Sequence, residues 1–111
     1  MLTARMIIRF HDKTDPKDPD KKIRWAKPMD HKCPYRPEFN LGGYLSSGWI
    51  ITDEDELQSE TDYEVMVSFP LIIPEAWETV QNIIHTGMKS TIQKASRILG
   101  EFTLLEYEYT P

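Results

Sequence analysis

The sequence predicts an all-β domain, a closed antiparallel barrel of six or seven short strands with one helix added. Three observations predict it. Residues 3–10 and 62–69 each alternate apolar and polar side chains with the period of a half-buried strand. Short runs of this kind recur along the chain, separated by polar or glycine-bearing turns such as Gly42-Gly43, Ser46-Ser47-Gly48 and Lys94-Ala95-Ser96-Arg97. A single stretch, 74–86, has helical spacing. Many short strands and one helix favour closure of the sheet on itself, which removes exposed edges.

The first strand, 3–10, places Ala4, Met6, Ile8 and Phe10 on one face and Thr3, Arg5 and Arg9 on the other, with Ile7 the exception. It starts almost at the first residue, which predicts little flexible tail ahead of it. Residues 11–22 read as a solvated hairpin tip, because Pro16 and Pro19 oppose regular structure and aspartates interleave with lysines. Asp12, Asp15, Asp18 and Asp20 do not make a calcium loop: the turn glycine and the late glutamate are missing. Residues 23–26 read as a short strand that Pro28 ends.

Next comes Cys33-Pro34-Tyr35-Arg36-Pro37-Glu38-Phe39, in which two prolines bracket an aromatic and an arginine. Prolines there mark a strand start or an edge. Phe39 and Leu41 alternate with Glu38 and Asn40, and the glycines and serines of 42–48 interrupt the run before a strand at 49–51. Asp53, Glu54, Asp55, Glu56 and Glu60 form an acidic turn. In the strand at 62–69, Tyr63, Val65, Val67 and Phe69 share the buried face. The helix 74–86 opens on Pro74, whose missing N–H costs nothing there, and carries an apolar stripe of Trp77, Val80 and Ile84. Gly87 is placed to end it. The last two strands are 88–93 and 98–107.

One domain fits in 111 residues, and 40% hydrophobic with 28% charged residues is ordinary for a globular chain. The formal net charge of −5 counts against strong RNA binding, which draws its affinity from phosphate neutralisation. One cysteine, Cys33, allows no intrachain disulfide. With no signal-peptide layout and no apolar run of roughly 20 residues, the expected location is the cytoplasm.

The motif around Tyr35-Arg36-Pro37-Glu38-Phe39, followed by Gly48-Trp49-Ile50, resembles the third, C-terminal domain of elongation factor Tu and related translation GTPases. That family writes Gly-Tyr-Arg-Pro-x-Phe and then Gly-x-Ile. A second stretch, Gly87 to Gly100, is similar to the family's Gly-x-x-Phe-x-Ile-Arg-Glu-Gly-x-Arg-Thr-Val-Gly, matching at Gly87, Ile92, Arg97 and Gly100. The resemblance covers nearly the whole chain and implies a closed six-stranded barrel, here free-standing, without the GTPase.

It also implies partners. In the family, this barrel packs on the GTPase domain, and one edge touches the T-stem backbone of aminoacyl-tRNA. Carried over, the contact positions are Glu38, Ser47, Lys94 and Ala95, with Lys27 nearby and Arg36 and Arg97 in the two motifs. This chain departs from the pattern: Glu38 stands for a glutamine, Ser47 for a threonine, and Lys94-Ala95 for Glu-Gly. The net acidity, the added helix and the missing GTPase favour a protein partner, with tRNA the alternative and no cofactor expected. The same residues also have an architectural reading, in which Tyr35, Arg36, Arg97 and Gly100 serve the barrel and Trp77, Val80 and Ile84 cover its open end. The other reading of that stripe is an added-helix partner surface.

Catalytic chemistry finds little support. There is no phosphate-binding Gly-x-x-x-x-Gly-Lys-Ser/Thr loop. His31 and Cys33 are two residues of the four that a structural zinc site needs. Cys33 as a nucleophile lacks a nameable orienting group and oxyanion site. The expectation is a non-enzymatic binding module.

Overall fold

The computed structural model describes residues 1–11, 14–15, 18–22, 36–53 and 57–111. It is mostly β, with one short helix. The strands are β1 (Leu2–Phe10), β2 (Thr14–Asp15), β3 (Asp18–Lys22), β4 (Glu38–Leu41), β5 (Tyr44–Ser47), β6 (Trp49–Ile51), β7 (Tyr63–Phe69), β8 (Lys89–Lys94) and β9 (Arg97–Tyr109). The helix α1 spans Pro74–Val80. Seven strands form one antiparallel sheet in the order β5-β4-β8-β9-β1-β7-β6, and β2 and β3 pair separately.

The alternation of β1 predicts its burial: Leu2, Ala4, Met6, Ile8 and Phe10 are all in the core. β1 is an interior strand next to the central β9, paired with β7 on one side and β9 on the other. Val65, Val67 and Phe69 of β7, and Leu99, Phe102 and Leu104 of β9, bury on the same side. Phe39 from β4 meets Phe69 edge-on at 5.4 Å and Phe102 at 5.6 Å. Strands from both ends of the sheet order thus touch through side chains, so the sheet is curled around its core as a half-barrel.

The turn of the curl is Gly48. It alone separates β5 from β6, the two outermost strands of the sheet. A Cβ added there would lie 2.6 Å from the Phe39 ring and 2.7 Å from Val67 Cγ1. Its N–H donates to the Pro37 carbonyl at 3.0 Å. Among the described residues no ladder joins β5 to β6. The observed sheet therefore has seven strands rather than six, and its edges meet through one residue of chain.

Several expectations from sequence are corrected. The break expected at Ser46-Ser47 is instead strand: Gly42 and Gly43, at φ 71° and 104°, make a tight hairpin turn, and β5 follows it through Ser47. Two consecutive positive φ values are the signature of a two-residue hairpin connection. The loop at 11–22 contains the β2–β3 pair, with Pro19 inside β3. A two-stranded ladder has a free side, so a residue without an N–H is tolerated there.

The helix ends at Val80, not at 86. Its apolar stripe continues through tight turns, in which Ile83 N–H donates to the Val80 carbonyl at 3.0 Å and Asn82 Nδ2 donates to the Glu78 carbonyl at 2.9 Å. The C-cap is Gln81 in right-handed conformation, so Gly87, at φ 92°, belongs to the turn before β8. The predicted strand at 23–26, and Cys33, Tyr35 and the acidic residues 54–56, lie outside the described residues.

Candidate functional site

The two sequence motifs meet at one corner of the sheet. The β4–β5 register sets Glu38 opposite Ser47, and the β4–β8 register sets Glu38 opposite Gln93. Gln93 leads directly into the turn Lys94-Ala95-Ser96-Arg97, across which Lys94 pairs with Arg97. Five of the candidate residues, Glu38, Ser47, Lys94, Ala95 and Arg97, are brought together this way by backbone pairing alone.

Arg36 joins them from the chain ahead of β4. Its guanidinium carbon lies 4.0 Å from the centre of the Trp49 ring, the geometry of a cation–π contact. The Gly48-to-Pro37 hydrogen bond puts the start of β6 beside the entry to β4, which is why residues 36 and 49 face each other. Lys27 lies outside the described residues.

Two residues of the corner were not among the contact positions expected from sequence. Trp49 is one; the signal available was an aromatic directly after the Gly48 corner. Gln93 is the other. It is buried, accepts from Thr91 Oγ1 at 2.8 Å and donates from Nε2 to the Ala95 carbonyl at 2.7 Å. It braces the turn from below, where Ala95 sits at φ 53° in the left-handed region that glycine favours. Nothing in its local pattern distinguishes that role.

The helix stripe is not brought to this corner. Val80 and Ile84 are buried in the core, so they do not form a free surface. Trp77 is half-buried, stacked on Tyr109 at 4.7 Å and meeting Tyr107 edge-on at 6.2 Å. Those tyrosines end β9 while Arg97 begins it. Trp77 therefore packs at the opposite end of β9 from Arg97.

A second charged feature lies on the outer face of β1. Arg5 donates to Glu64 at 2.7 Å and to Glu106 at 2.8 Å, and Arg9 donates to Asp62 and Glu60, each at 3.2 Å. The hydrogen bond to Glu106 holds the Arg5 guanidinium above its usual pKa, against partial desolvation, and Asp62 does the same for Arg9. Among the described residues, no three His, Cys, Asp or Glu side chains are grouped to hold a metal ion. No helix is long and apolar enough to cross a membrane.

The fold and the corner define a class: a curled antiparallel β-domain with a mixed-charge, aromatic edge. No family model, no curated protein and no solved structure matches the chain.

Proposed function

We propose that this chain is a non-enzymatic, protein-binding module of the elongation factor Tu C-terminal-barrel type, its sheet completed into a closed barrel of the family's kind. The observation that carries the reading is the Arg36–Trp49 stack beside Glu38. Arginine and tryptophan are the side chains that most often anchor protein interfaces. A carboxylate among them suits a protein partner and opposes phosphate.

Binding of tRNA is the second reading, favoured by the meeting of Arg36, Lys94 and Arg97 at one corner. It would be strongest if all the cations shared that face. Lys89 instead lies at the other end of β8, in a groove with Arg9, Asp62 and Glu101. The net charge of −5 weighs the same way.

Affinity capture from native lysate, with half the sample treated with ribonuclease, separates the two. The protein-binding reading expects a discrete protein retained in both halves. Recovery of tRNA, with any protein lost after ribonuclease, would replace it with the RNA reading.

A further inference from the structure

We propose that the outer face formed by β6, β7, β1 and β9 receives a lysine- or arginine-rich amphipathic segment of a partner protein. This rests on the protein-binding reading above and adds to the corner an adjoining surface, reached at Trp49, and a partner chemistry.

The face has an apolar floor. Trp49, Ile51 and Met66 are 36%, 46% and 39% exposed, high for side chains of this size. The β6–β7 register sets Ile51 against Met66 and Trp49 against Ser68, so the three are neighbours. Methionine among them gives a surface that adapts to its occupant. Contiguous exposed apolar patches bordered by polar groups mark interaction sites.

The borders of this floor are anionic. Two shallow grooves run along either side of the Arg5–Met66 ridge. Asp53 and Glu64 line one, and Glu106 and Glu108 line the other. The cations here are already engaged: Arg5 is held between Glu64 and Glu106, and Arg36 is stacked on Trp49 at the edge of the floor. Asp53 and Glu108 form no ion pair among the described residues.

An occupant must therefore bring apolar groups for Trp49, Ile51 and Met66 and cations for both grooves. Nucleic acid and acidic peptides meet repulsion there. A cationic amphipathic segment meets complementarity, which steers encounter and excludes wrong partners.

The test is calorimetric titration of the full chain with a synthetic peptide alternating leucine and lysine, against the same peptide with glutamate for lysine. The lysine peptide is expected to bind, the glutamate peptide not to. Met66→Lys and Ile51→Lys, both at exposed positions, should each weaken binding about tenfold, a loss of about 1.4 kcal/mol. Leu45→Lys, exposed on β5 and outside the four strands of this face, should leave it unchanged.

Equal binding of both peptides, or equal loss in all three variants, would overturn the proposal. So would a concentration-dependent dimer that Met66→Lys dissolves, since the occupant would then be a second copy. Lysate capture separates this proposal from the reading beneath it. A partner retained equally by wild type and Met66→Lys removes this surface and leaves the protein-binding module standing. No partner retained by either removes both.

Discussion

Gly100→Ala should be far more damaging than its size suggests. Gly100 lies where β9 passes between β1 and β8, opposite Phe10 on one side and Ile92 on the other. An added Cβ would sit 2.3 Å from the Arg9 carbonyl oxygen and 2.9 Å from Phe10 Cα. An ordinary carbon–oxygen contact is about 3.3 Å, so the two strands must separate by about 1 Å. Both obstructing atoms are backbone, so no side-chain rotation relieves the clash.

The separation falls on the hydrogen bond from His11 N–H to the Leu99 carbonyl, now 2.9 Å, and stretches it past useful length. Forced overpacking costs about 1–3 kcal/mol and a lost backbone hydrogen bond about 1 kcal/mol, giving about 2–4 kcal/mol together. Urea denaturation followed by far-ultraviolet circular dichroism reads this as a midpoint lowered by roughly 1–3 M. Gly43→Ala is the control: nothing lies within 4 Å of its Cβ, so it carries only the conformational cost of φ 104°. A Gly100→Ala protein within about 0.5 kcal/mol of wild type would refute the close approach of β9 to β1.

Other outcomes are equally open to measurement. Ala95→Gly should stabilise by about 0.5–1 kcal/mol, read in the same urea experiment, because Ala95 holds a left-handed φ of 53°. Phe39→Ala should cost about 3–5 kcal/mol by thermal or urea unfolding, since its ring joins both ends of the sheet through Phe69 and Phe102. Arg36→Ala should leave the unfolding midpoint nearly unchanged while weakening capture of the partner, because it removes only an exposed stack on Trp49. The raised pKa values of Arg5 and Arg9 stabilise the fold below the unfolded arginine value and lose effect only as pH rises through the folded one. Those arginines should therefore add no slope to a stability–pH profile near neutrality.

Much of the sheet was legible because burial follows a period of two. β1, β4 and β7 declare themselves by alternation, and the bulged registers of β1–β9 and β8–β9 do not disturb it over short windows. β5 was hidden because Ser46 and Ser47 resemble turn residues, yet Ser46 faces the core opposite Phe39. The helix was overextended because Ile83 and Ile84 keep the apolar spacing while the backbone tightens beneath them. Leu57, fully buried, stood unnoticed within an acidic stretch. In the corner, the motifs supplied the residues, and strand pairing supplied their meeting. Trp49 and Gln93 remained hidden because their roles come from strands remote in sequence: Arg36 reaches the first, and the second braces a turn that the motif fills differently.

The central claim is that this corner binds protein. A photo-crosslinking amino acid at position 47, opposite Glu38, tests it directly in native lysate. One discrete adduct is expected, its mobility unchanged by ribonuclease. An adduct that collapses to the free chain on ribonuclease treatment would contradict it and place RNA at the corner instead.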